Sequence, residues 1–150
     1  MSSALIIDEN VAKHVKEKAV AYFQSHRSIF CPALQSDVHI HANGFSHIEW
    51  KRKNIKRSLQ EIHIRYLCFL HTAHILESSH LYQEYKEVSE EVTYKQHGVR
   101  KKRIEIATYY GFVGIVNKNK NRVKIVVKKN AFGHCEFISV IPHWESKVYN

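Results

Sequence analysis

No stretch of this sequence stays apolar for long enough to span a bilayer; the longest run, around Tyr66 to Leu70, is far too short. Nor does the chain open on a charged segment followed by an apolar one, as a secretory leader would. Its 3 cysteines, Cys31, Cys68 and Cys135, are widely spaced and form no CxxC pair. That spacing excludes a cysteine-based zinc framework and a disulfide scaffold, and buried thiols in a reducing cytoplasm are expected. Internal repeats, low-complexity tracts and an HExxH motif are all absent. Acidic residues are also scarce, 14 Asp and Glu against 23 Lys and Arg.

The resulting formal charge of +9 is large for 150 residues. A field of that sign draws in polyanions and speeds their encounter. Nucleic acid is the expected partner. The rest of the composition, 44% hydrophobic and 25% charged, is that of a folded chain rather than a disordered one. The length suits one domain with a core of its own.

Asp8 or Asn10 can cap a first helix over roughly Asp8 to Arg27, with Val11, Val15, Ala19 and Tyr22 at helical spacing. Ser28 to Cys31 and Pro32 end it. Asp37 to Ala42 alternates as a short strand closed by Asn43-Gly44. Ile48, Ile55, Leu59, Ile62, Tyr66, Phe69, Ala73 and Leu76 then form one stripe, predicting a long helix with a break around Lys51 to Asn54. Tyr82 to Tyr94 reads as either strand or loop. Lys102 to Val116 is rich in β-formers, and Gly111 and Gly114 suggest a bulge or a close backbone approach. A polar turn at Asn117 to Asn121 leads to a half-exposed strand at Val123 to Val127 and a last strand at Cys135 to Ile141. Helices first and an antiparallel meander after predict an α+β fold, with a long helix packed on the sheet.

RNA can be cut without a metal if one group takes the 2′-OH proton, another protonates the leaving oxygen, and a cation steadies the phosphorane. Histidine suits the proton roles and Lys or Arg the last. Gly44 to Lys53 offers this chemistry: with Ser46 as cap, His47 falls in a first helical turn and Lys51 one turn later, with Arg57 and Ser58 beyond. Among 12 histidines some fall near a lysine by chance, so decoration of a basic helix is the competing reading. His71 and His74 have the i, i+3 spacing of a metal pair, though no matching carboxylate accompanies them. His39 and His41 share one side of a short strand, facing either solvent or a cleft, and His97, His134 and His143 sit at turns or a strand end. Arg100 to Arg103 and the lysines from Lys118 to Lys129 interleave with Tyr94, Tyr109 and Tyr110, a pattern that stacks and grips single-stranded RNA. Expected RNA contacts are Arg52, Arg103, Tyr110, Lys124 and Lys128.

Two pieces of the sequence look like something specific. Val38-His-Ile-His-Ala-Asn-Gly-Phe-Ser-His47-Ile48, followed by Lys56-Arg57-Ser58, resembles the opening of phage-associated nucleases with the barnase/EndoU/colicin/RelE-like fold. Arg122 to Lys129 and then Gly133-His-Cys-Glu-Phe-Ile-Ser139-Val-Ile-Pro142 are similar to that group's last hairpin. The resemblance runs over residues 38 to 142. It implies a nuclease-like α+β core over 36 to 145 behind a helical extension at 1 to 35, and a toxin-type, metal-independent endoribonuclease with no cofactor. It carries over His47 as the helix histidine, Arg57 as the basic helix position and Ser139 as the strand hydroxyl on the phosphate, with Lys51 beside them. The general acid stays open among His39, His41, His134 and Tyr110. Implied partners are tRNA, mRNA or rRNA, and an antitoxin or immunity protein. The competing readings are a catalytically silent RNA-binding domain and a metal-dependent hydrolase on His71 and His74.

Overall fold

The computed structural model describes residues 8–116 and 121–143, the side chain of His143 excepted. The polar turn expected at Asn117 to Asn121 therefore falls outside the description except for Asn121 itself. The Asp8 carboxylate accepts the Asn10 backbone N–H at 2.7 Å and so opens α1 (Glu9–Ser25), satisfying one of the N–H groups a helix start leaves free. Ser28 to Cys31, expected only to end that helix, is strand β1 (Ser28–Cys31), paired antiparallel with β2 (Ser36–His39). Asn43-Gly44, expected as a turn, lies inside the short helix α2 (Ala42–Ser46).

The predicted long helix does not form. In its place come a hairpin, β3 (Trp50–Arg52) and β4 (Ile55–Lys56), and two shorter helices, α3 (Leu59–Phe69) and α4 (Thr72–Ser78). Asn54 turns the hairpin at φ 91°, a conformation asparagine tolerates, and the Arg57 N–H closes its base on the Glu49 carbonyl at 2.8 Å. Ser58 caps α3 by accepting from the Glu61 N–H at 3.2 Å. The start of α4 has no cap of its own; the Tyr22 hydroxyl reaches over from α1 to accept the Ala73 N–H at 2.8 Å.

Four strands complete the chain: β5 (Glu84–Gln96), β6 (Val99–Val116), β7 (Asn121–Lys129) and β8 (Cys135–His143). They join β1 and β2 in one six-stranded sheet of order β1-β2-β8-β7-β6-β5. The fold is α+β, but the sheet is mixed rather than antiparallel, because β2 runs parallel to β8 with Val38 opposite Cys135. Helices α2 and α3 lie on β8, and α4 lies on β1, β6 and β7. Phe69, Phe112, Phe137, Ile48 and Leu76 fill the space between them. Val15 and Ala19 of α1 and Ile29 and Cys31 of β1 belong to the same cluster, so α1 and β1 help to build the core.

Two glycines permit the layers to close up. A Cβ on Gly114 would stand 2.5 Å from the Ile75 side chain, and one on Gly44 would stand 2.3 Å from the Phe137 carbonyl oxygen. The Phe137 oxygen belongs to a sheet strand and has little room to yield. Gly44→Ala is thus expected to cost about 1–3 kcal/mol by overpacking. It should lower the urea midpoint with an unchanged slope; a wild-type midpoint would contradict this seating of α2 on β8.

Candidate nucleic-acid interface

The site begins where α2 stops. His47 is its C-cap, and the chain turns there into β3. His47, partly buried, lines a recess of about 490 Å³ together with Asn43, Ser46, Trp50, Arg52, Lys53 and Asn54. Lys51, Arg52, Lys53 and Lys56 are all exposed on the hairpin, and no acidic residue lies between Trp50 and Lys56. The indole of Trp50 is 40% exposed, and the Lys56 ammonium lies 5.9 Å from its ring centre. An imidazole, a guanidinium, an ammonium and an open aromatic face therefore meet in one recess.

Glu49 ties this hairpin to the helices. Its carboxylate takes the Lys16 ammonium of α1 at 2.8 Å, the Lys56 ammonium at 3.7 Å, and the hydroxyl of Tyr66 on α3. Burial alone would raise the Glu49 carboxyl; the bonds from Lys16 and Tyr66 outweigh it and hold the group below its ordinary range. On Tyr66, burial first and Glu49 second push the phenol well above its usual value.

Of the four expected catalytic groups, His47 alone lines the recess. Lys51 is on the same hairpin but is not part of the lining. Arg57 points inward: its Nη1 donates to Glu61 at 2.8 Å, its Nε donates to the His47 carbonyl at 3.1 Å, and only 11% of its side chain is exposed. Arg65 shares Glu61 and donates to the Val140 carbonyl at 2.6 Å. Arg57 thus fixes the backbone of His47 and is occupied in doing so.

Ser139 lies elsewhere. Strict alternation would put Phe137, Ser139 and Ile141 on one strand face, but the β7–β8 register shifts between Val126 and Val127. The extra residue on β8 reverses the phase, so that Phe137 and Val140 are both buried while Ser139 pairs with Val126. Val126 lies between the buried Ile125 and Val127, and adjacent strand residues face opposite ways. Ser139 is therefore on the sheet face away from the helices, and the structure does not bring it to His47.

The expected RNA contacts divide in the same way. Arg52 lines the recess. Lys124 and Lys128 share the far face with Val126 and are already paired, with Glu84 at 2.8 Å and Glu90 at 2.6 Å. Tyr110 packs against Tyr82 at 4.9 Å between ring centres and borders the core. Arg103 is bonded to Glu105 and lies over the rings of Tyr94 and Phe132. These groups hold the sheet together rather than offering free charge.

Sequence reasoning singled out His47 and Arg52 but missed Trp50 and Lys53. A tryptophan followed by Lys51 and Arg52 and then by the turn pair Lys53-Asn54 was the available signal, and the helical reading of that stretch hid it. His71 and His74, whose i, i+3 spacing alone suggested a metal, join no group of three or more metal-compatible side chains among the described residues; His41, His134 and Glu136 do. No family model, curated protein or solved structure matches the chain.

Proposed function

We propose that this protein is a toxin-type endoribonuclease that takes single-stranded RNA into the recess beside β3 and cuts it without a metal. The observation that carries this reading is the convergence of His47, Arg52, Lys53 and Trp50 on one recess, in a chain of net charge +9. Trp50 stacks a base, and Arg52 and Lys53 hold the non-bridging phosphate oxygens. His47 takes the 2′-OH proton, and the freed 2′ oxygen attacks phosphorus. The bond to the 5′ oxygen then breaks, and that oxygen takes its proton from solvent, since no second imidazole among the described residues lines the recess. The products are a 2′,3′-cyclic phosphate and a 5′-hydroxyl.

The nuclease reading brings with it the barnase/EndoU/colicin/RelE-like fold, tRNA, mRNA or rRNA as substrate, the cytoplasm as its place of action, and an acidic antitoxin or immunity protein against the basic hairpin. No helix among the described residues is long and apolar enough to cross a membrane. Incubation with RNA in EDTA is expected to release cyclic-phosphate ends. For the Arg52→Ala/Lys53→Ala variant, the slope of log affinity against log salt should fall by about 1.4, two single-strand phosphate contacts being lost. An unchanged slope would remove the recess as the binding site.

One observation favours a second reading. Arg57 is spent on Glu61 and Ser139 faces away, leaving the recess a single imidazole and no strand hydroxyl. A silent RNA-binding domain would show the same salt dependence and yield no product at any protein concentration.

A further inference from the structure

Two segments far apart in sequence meet at the other end of α2. β2 and β8 pair in parallel with Val38 opposite Cys135 and His39 opposite Glu136, which brings the end of β2 beside the start of β8. His41, the N-cap of α2, thereby comes against His134, and their Nε2 atoms stand 3.1 Å apart. Glu136 Oε2 is 3.9 Å from the same His134 nitrogen, and the three ligand atoms all lie within 4.8 Å of one another.

We infer that His41, His134 and Glu136 form a binding site for a divalent transition-metal ion of the zinc type. Two nitrogens bound to one tetrahedral zinc, with Zn–N bonds of about 2.0–2.1 Å, stand about 3.3–3.4 Å apart. The imidazole pair is within a few tenths of an ångström of that spacing before any ion is present. Two imidazoles and one carboxylate are a donor set that zinc accepts, with water in the fourth position. The alternative, a hydrogen bond between the imidazoles, needs the two rings to hold opposite tautomers and gives Glu136 no part.

The surroundings hold these ligands in place. The Asn130 side-chain oxygen accepts the N–H groups of Phe132 and His134 at 2.9 and 3.0 Å, and the Asn130 N–H returns to the His134 carbonyl at 2.9 Å. The turn carrying His134 is therefore tied at both ends. The His39 ring stacks on His134 with centres 4.9 Å apart and planes 7° from parallel, fixing the ring that bridges the other two ligands. The ion would clip the β2–α2 junction to the β7–β8 turn. Being at the opposite end of α2 from His47, it touches no reacting atom, so the site stands whether or not RNA is cut.

Metal-free full-length protein titrated with Zn²⁺ in a calorimeter should take up one tightly bound equivalent, and Co²⁺ should give the intense visible bands of a tetrahedral site. His41→Ala and His134→Ala should each weaken that event at least tenfold, and Glu136→Gln several-fold. His71→Ala/His74→Ala should leave it unchanged. His41 is exposed and makes no side-chain cap bond, so its alanine variant keeps the fold. Zinc should also raise the melting temperature of wild type and not of His41→Ala. Tight uptake that persists in His41→Ala, or that disappears with His71 and His74, overturns the assignment, as does the absence of any saturable event.

Discussion

His47→Ala is expected to slow RNA cleavage by about 10²–10⁴-fold, the usual contribution of a positioned general base, while RNA affinity stays near wild type. The separation follows from the geometry. The imidazole is the proton acceptor, whereas the grip comes from Arg52, Lys53 and Trp50 around it. The anchor of this segment survives the substitution, because Arg57 bonds to the backbone carbonyl of residue 47 and not to its ring. A folded variant with full affinity and lost cleavage, measured in single-turnover experiments with end-labelled RNA, would bear this out. Cleavage at the wild-type rate would take His47 out of the chemistry.

Phe69→Ala should produce the largest loss of stability, about 3–5 kcal/mol, the range found for emptying an aromatic core position. Phe69 is fully buried, and its ring meets Phe45 at 5.2 Å, Tyr22 at 5.4 Å and Phe137 at 5.5 Å between centres. One side chain thus joins α1, α3, the sheet and the short helix that ends at His47. Its removal should lower the denaturant midpoint and also loosen the recess, so that RNA binding weakens well below the unfolding transition. A loss under 1 kcal/mol would mean that the cavity collapses freely, contrary to the packing of three other elements on this ring.

What the sequence disclosed and what it hid have separate physical causes. Asp8 as a cap and the strict alternation of Val123, Ile125 and Val127 depend on near neighbours alone, and both are found. The continuous stripe from Ile48 to Leu76 misled because Ile55 and Leu59 keep its spacing but are 46% and 52% exposed. They belong to the hairpin and to the first turn after it, and only from Ile62 onward does the spacing report a buried helix face. Tyr82 to Tyr94 resisted assignment because β5 is an edge strand with no fully buried residue, and the half-buried side of its alternation, Val88, Glu90, Val92 and Tyr94, carries a carboxylate among its apolar groups. The face that Ser139 takes was not legible, because one extra residue reverses a period of two and nothing local marks the bulge. The parallel pairing of β2 with β8, which gathers His41, His134 and Glu136, joins segments nearly a hundred residues apart and is invisible to spacing.

RNA contact at the α2–β3 recess underlies the whole functional reading. Amide chemical shifts of ¹⁵N-labelled protein, followed while a short 2′-O-methyl oligonucleotide that cannot be cut is added, test it most directly. The shifts should concentrate between Asn43 and Lys56 and fade as salt rises. Shifts confined to the sheet face that carries Lys124, Val126 and Lys128, or none at all at low salt, would contradict it.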